Sequence, residues 1–416
     1  MKARIVASLA LVAALTVAVS TATARTDGPA RSSASKITVW LQVDAQTGWP
    51  DLVASTNQAF QQAHPGANVD VQYQTWGDHL GKFDATLAGG NTPDVIEMGN
   101  TEMTKYMAAG AFASLSADRS SFANSKNWLA GLTASASYNG KLYGVPYYAG
   151  SRVVTYRTDL YKKVHAKAPK SLAQFTGIAK KLRARNGKKS FSPVYIAGTD
   201  WYFAMSFVYD YGGTIATFSH GKWHGALTSS KARAGLAAYQ RFFGTASRAS
   251  KTGTEDRPQP YDVYAQGQAA SIVGPAWFSC CVGKKYKTVT GQFVMPGHQA
   301  GQSMPGFLGG SDLAVPNGSN DKALAKDWIR IFTNTASERT LQAKGNIPNA
   351  TNLLGNSVNE RAAKRSWFVP TAKHWVDVEN GNVLRTMLAR ILTGKDSIKE
   401  ATSSASDNIS LTLNRP

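Results

Sequence analysis

The chain has 416 residues, with 46 Lys plus Arg against 26 Asp plus Glu. That length exceeds what one ordinary hydrophobic core needs and suffices for two lobes. Its two cysteines, Cys280 and Cys281, are adjacent and its seven histidines are dispersed, so no zinc site of ordinary ligand spacing can be assembled from them, and neither a metal nor a cofactor is expected.

At the amino terminus Lys2 and Arg4 frame an apolar run from Ile5 to Val19, broken only by Ser8 and Thr16 and followed by Ala22-Thr-Ala24. This reads as a secretory signal peptide over 1–24, because the run is shorter than the roughly 20 apolar residues of a membrane span. No cysteine lies near its end, so an amino-terminal lipid anchor is not expected, and the protein is placed outside the cell or at its envelope. Residues 25–35 read as a flexible lead.

Ordered elements begin near Lys36. Ile37–Leu41 is a predicted strand, and Leu52, Val53, Thr56, Ala59 and Phe60 share one face of a helix that His64-Pro-Gly66 stops. Val69–Tyr73 alternates as a second strand, Leu80–Leu87 reads as a helix, and Asp94–Met98 as a third strand. Strand alternating with helix predicts a parallel sheet whose ligands collect beyond the carboxyl ends of its strands. Helical periodicity returns at Phe175–Arg185, Asp321–Thr333, around Val383–Leu392 and around Ser397–Ile409. The cations fall in short groups such as Lys180-Lys181, Lys188-Lys189 and Lys284-Lys285. That scatter reads as solvation, with weak attraction to an anionic envelope as the alternative.

Four stretches then follow one another in a telling order: Ile37-Thr-Val-Trp40 with His64-Pro-Gly-Ala-Asn-Val69; Gly90-Asn-Thr-Pro-Asp-Val-Ile96; Asn139-Gly-Lys-Leu-Tyr-Gly-Val-Pro146 with Tyr156-Arg-Thr-Asp-Leu-Tyr161; and Gly267–Trp277 joined to Gly309–Pro316. Together they resemble the carbohydrate-binding branch of the extracellular solute-binding proteins of ABC importers, the family that includes the maltose-binding protein. The resemblance implies an α/β fold of two lobes, each a mixed sheet flanked by helices, with a ligand cleft between them. It divides the chain into an N-terminal lobe of 36–147 plus 297–348 and a C-terminal lobe of 148–296 plus 349–416. Hinges are expected near Pro146–Ser151, Met295–Gly297 and Asn346–Ala350, closing on ligand. The implied protein is a non-enzymatic monomer that hands a small carbohydrate to membrane permease subunits. The stretch Glu97-Met-Gly-Asn-Thr-Glu102 resembles the chitobiose and N-acetylglucosamine subgroup. One departure is that Ala276 follows Gly274-Pro275 where relatives place an aromatic, with Trp277 one position later.

A sugar presents C–H faces and hydroxyl rims, so its site needs aromatic platforms and side chains that donate and accept hydrogen bonds. Trp76, Trp201, Trp277 and Trp375 are the candidate platforms, each with core packing as its alternative. Asp44, Asn100, Thr101, Glu102, Tyr148, Arg152 and Asp200 are the polar candidates, and Gly310 could bring bare backbone to the ligand. Asn100 and Thr101 could instead cap the following helix, and Arg152 could brace the hinge through a carboxylate. Cys280 and Cys281 are expected either to form a vicinal disulfide beside Trp277 or to remain thiols. An exported glycosidase needs two facing carboxylates, and no motif fixes such a pair. A nucleic-acid partner is not expected, since no basic helix carries interleaved aromatics; a basic envelope adhesion protein rests on net charge alone.

Overall fold

The computed structural model describes residues 35–254 and 258–416. The expected signal peptide and all but the last residue of the expected lead lie outside those residues. Three parallel strands open the fold: β1 (Lys36–Gln42), β2 (Asn68–Gln74) and β3 (Val95–Gly99), with β1 between the other two. Ile37, Val39 and Leu41 are fully buried on one side of β1, and the helix Pro50–Ala63 lays Leu52, Val53, Thr56 and Phe60 over them. Pro50 suits the first helical turn because its missing N–H has no partner to lose there. The predicted strands and helices of this region are found within one or two residues of their expected ends.

The remaining strands of the main sheet are β4 (Gly144–Arg157), β5 (Ser271–Pro275), β6 (Thr290–Phe293), β7 (Gly306–Ala314), β8 (Ile347–Pro348) and β9 (Ser366–Trp367). β4 is long enough to serve two sheets. Its residues 144–151 pair antiparallel with β7, whereas 152–157 pair with β5 and β6. β7 in turn pairs with β3, giving the continuous order β6-β4-β7-β3-β1-β2. The two lobes are therefore joined through strands that cross from one to the other, and each lobe keeps its own core. Trp49, Phe60, Tyr147, Trp328 and Phe332 belong to the first core, and Phe175, Phe203, Tyr239, Phe242 and Trp375 to the second.

Two expected boundaries shift. Residues 297–305 make second-lobe contacts: the Gly297 carbonyl accepts from Leu172 N–H, the His298 amide donates to Asp210, and Met304 lies in the second core. The crossing expected at Met295–Gly297 falls in β7 instead. Ala350 and Leu353, expected in the second lobe, pack in the first. Pro-Gly at 296–297 looks like a chain break, but its backbone groups find partners within the second lobe, and satisfied buried backbone outweighs a local breaker signal.

Candidate functional site

Where β4 and β7 pass between the lobes, a cleft of about 420 Å³ opens. Its first-lobe wall is built on the end of β3. Gly99 N–H donates to Glu102 Oε2 at 2.9 Å, and a Cβ at Gly99 would lie 2.8 Å from that oxygen and 3.3 Å from the Trp76 ring. Only glycine lets the turn Asn100–Glu102 fold this tightly against Trp76. Asn100 Nδ2 donates to the Leu308 carbonyl at 3.0 Å, and no side chain caps the helix Met103–Ala108. The capping alternative for Asn100 and Thr101 is thus set aside; the Asn100 side chain ties the turn to β7.

His79 is buried under this wall. Its Nδ1 faces the Trp76 carbonyl at 3.1 Å and its Nε2 faces Glu102 at 2.9 Å. Both ring nitrogens meet acceptors, an arrangement that favours the protonated ring. Burial opposes that charge, but the bond to Glu102 and its negative charge outweigh burial, and the His79 pKa is raised. Trp76 is held from its other side by Asp44, whose Oδ2 accepts from Nε1 at 2.6 Å. Asp44 therefore braces the platform.

The second-lobe wall carries Arg152, Tyr202, Trp277 and Glu379. Trp277 is 48% exposed and turned outward, which answers the departure after Gly274-Pro275. The guanidinium of Arg152 lies 4.8 Å from the centre of the Tyr202 ring and 3.5 Å from Asp200. Glu379 accepts from Trp375 Nε1 at 2.6 Å and, across the cleft, from the Thr101 hydroxyl at 3.5 Å. Burial, helped by the charge of Glu102, pushes its pKa up to about 7. The floor is the β4–β7 pair, with Tyr148, Gly310 and Ser311 facing the cleft. Beneath it Glu97 is fully enclosed, accepts from the Gln42 amide at 2.8 Å and contacts Ser311, and burial raises its pKa to about 7. A Cβ at Gly310 would fall 2.1 Å from the Tyr148 carbonyl, so the two strands pack against bare backbone there.

The cleft brings together Trp76, Asn100, Thr101, Glu102, Tyr148, Arg152, Trp277 and Gly310 of the sequence candidates. Four others do not line it: Asp44 sits behind Trp76, and the remaining three lie in the second lobe. Trp201 and Trp375 are 3% and 1% exposed and pack on each other in the second core, and buried Asp200 caps the helix Trp201–Asp210 through the Phe203 amide. The neighbouring Tyr202, not Trp201, lines the cleft. Trp375 positions Glu379, and Asp200 pairs with Arg152, so the carboxylate brace weighed for Arg152 is present. Cys280 and Cys281 form the vicinal disulfide, both exposed in the turn that carries Trp277. Sequence reading missed Tyr202, Phe307 and Glu379; a Trp375–Glu379 spacing of one helical turn was the available signal for the last. Among the described residues no cluster of three metal-ligating side chains occurs, and no helix is long and apolar enough to cross a membrane.

The cleft lies between two α/β lobes, the geometry of proteins that close on a small ligand, and comparison with known proteins agrees. The diacetylchitobiose binding protein DasA of Streptomyces coelicolor is 30% identical over 372 residues, 86% of this chain and 85% of that protein. The maltodextrin-binding protein MdxE of Bacillus subtilis is 23% identical over 74% of this chain and 72% of its own. In fold, the chain is similar to the GacH receptor of Streptomyces glaucescens, solved unliganded and with acarbose, at TM-score 0.77 and 17% identity, covering 91% of this chain and 98% of that one. It is also similar to maltose-bound MalE3 of T. maritima at TM-score 0.73 and 19% identity, over 91% of this chain and 100% of that one. The family described as bacterial extracellular solute-binding protein matches residues 56–363, and the chain belongs to that family.

Proposed function

We propose that the protein is the extracellular binding component of an ABC sugar importer and that its ligand is a short oligosaccharide of the N-acetylglucosamine type. The observation that carries this reading is the pair of exposed indoles, Trp76 and Trp277, one on each wall of a cleft otherwise lined by hydrogen-bonding groups. Ring faces of a pyranose find apolar platforms there, and its hydroxyls find Glu102, Glu379 and Arg152. Closure about β4, β7 and the segment near Asn346 brings the walls together and excludes water. The ligand class is supported by the similarity to a diacetylchitobiose binding protein over most of both chains.

The sugar is held without being cut. Glu102 is committed to His79 and the Gly99 amide, and Glu379 to Trp375, so both carboxylates act as fixed acceptors. After capture the loaded protein docks on membrane permease subunits as a monomer outside the cell. Calorimetric titration with chitin, malto-, cello- and xylo-oligosaccharides, followed by product analysis of each ligand that binds, tests the reading. Tightest binding to a chitin oligosaccharide recovered intact is expected. Absence of binding to every glycan, or hydrolysis of the bound one, overturns it.

A further inference from the structure

In the second lobe, sharing no lining residue with the cleft, the helices Leu172–Arg185 and Ser230–Ala246 flank a groove of about 510 Å³. Its floor is apolar, formed by Leu172, Ala238 and Phe242, and its edges carry Lys180 and Arg241. On the same helix, one turn beyond Lys180, Arg183 donates from Nη1 to the Gly244 carbonyl at 3.4 Å, while its Nε and Nη2 are buried with no hydrogen-bond partner. Burial and the nearby charge of Arg248 lower the Arg183 pKa, so two cations crowd one another there. His298 and Tyr211, stacked at 4.3 Å, close one end of the groove.

No carboxylate among the described residues lines this groove. Asp210, behind His298, is buried and bonded to His298 and Arg365. The sequence around the groove is acid-free as well: ten Lys or Arg and no Asp or Glu lie between positions 160 and 199, and six and none between 211 and 254. The first lobe is the opposite, with six Lys or Arg and nine Asp or Glu between positions 36 and 143. Cations left unpaired over an apolar floor cost free energy that an anion would recover, since a low-dielectric surface strengthens each pair.

We propose that this groove is a docking site for a linear phosphate-bearing polymer. Its concave shape favours a chain over a bilayer, because a flat lipid surface cannot follow the floor between Lys180 and Arg241. From Leu172 to Lys180 it runs about 12 Å at 1.5 Å per helical residue, room for a few successive phosphates. Such a contact holds the protein at a polyanionic layer while leaving the sugar cleft free.

The experiment measures binding of the full mature protein to fluorescently labelled long-chain inorganic polyphosphate by anisotropy across a sodium chloride series. A second arm follows co-sedimentation with phosphatidylglycerol vesicles. The variant Lys180→Gln/Arg241→Gln/Arg248→Gln is compared with Lys126→Gln/Lys141→Gln/Lys344→Gln, which removes the same charge from exposed first-lobe positions. The proposal expects the groove variant to lose about tenfold or more in affinity and about two units of salt slope, at roughly 0.7 per phosphate contact on a single-stranded polyanion. The control variant should stay within about twofold, and both should keep wild-type melting temperature and sugar affinity. Equal losses in the two variants would mean attraction by net charge alone, and binding to vesicles without polymer, or to neither, would equally overturn the proposal.

Discussion

Replacing the four candidate tryptophans by alanine one at a time should split them into two classes. Trp76 and Trp277 retain 41% and 48% of their surface in the cleft. On a residue surface of roughly 250 Å² that leaves about 100–120 Å² each, or ~2.5–3 kcal/mol at about 25 cal/mol per Å² if ligand covered all of it. A sugar ring covers one face, so about half of that is at stake, roughly a tenfold rise in Kd for either replacement. Neither ring supports the core, so melting temperature should barely move. Trp201 and Trp375, at 3% and 1% exposure, have no surface left to give a ligand. Their truncation should cost about 3–5 kcal/mol of stability through cavity formation. Calorimetric titration with the best-binding glycan and urea denaturation of each variant read the two effects separately. The reasoning is refuted if Trp76→Ala and Trp277→Ala bind within twofold of wild type, or if either lowers stability as much as Trp201→Ala.

Stability should fall as pH rises from about 5 to 8. Burial holds Glu97, Asp312 and Glu379 each at a pKa of about 7, so folding takes up protons; a raised folded pKa gives stability that is complete below the unfolded value and is lost as pH climbs through the folded one. His79, also raised, adds in the same direction, and a urea midpoint that is flat or increasing over this window contradicts the assignment. Gly310→Ala should destabilise by about 1–3 kcal/mol or more, because its Cβ meets the Tyr148 carbonyl and the Ala149 Cα at 2.1 and 2.9 Å; Gly150→Ala, with open space around it, is the neutral comparison in the same melting experiment. Thiol titration of denatured, unreduced protein should count no free sulfhydryl, and two per chain after reduction; two before reduction would show that Cys280 and Cys281 are not joined.

The order of β1, β2 and β3 with their helices could be read from the chain because apolar alternation and the stop at His64-Pro65-Gly66 are local signals. The sorting of the tryptophans could not. Asp200, Trp201 and Tyr202 are consecutive at the start of a helix, where each step turns the side chain by about 100°; that rotation alone sends Trp201 into the core and Tyr202 to the cleft. Glu379 escaped notice for a related reason: its helix Trp375–Asn380 is too short to show periodicity, and only the tertiary packing of Trp375 aims the carboxylate at Thr101. The dual role of β4 was legible only through the family resemblance, which put a hinge at Pro146–Ser151. Residues 144–157 look like one strand, and nothing within them says that the first half pairs with one lobe's strand and the second half with the other's.

Charge is partitioned within this basic protein in a way that bears on specificity. The cleft concentrates carboxylates: Glu102 and Glu379 on its walls, Glu97 beneath its floor and Asp44 behind Trp76. Its two cations are already engaged, Arg152 with Asp200 and His79 with Glu102. A sugar bearing a carboxylate or sulfate would meet like charge there with no free counter-charge, whereas neutral hydroxyls and amides meet acceptors that strengthen as water leaves. The groove of the second lobe has the inverse character, with cations and no acid. Because the two sites share no lining residue, an anionic polymer drawn to the groove would not compete for the sugar site, whose carboxylates repel it.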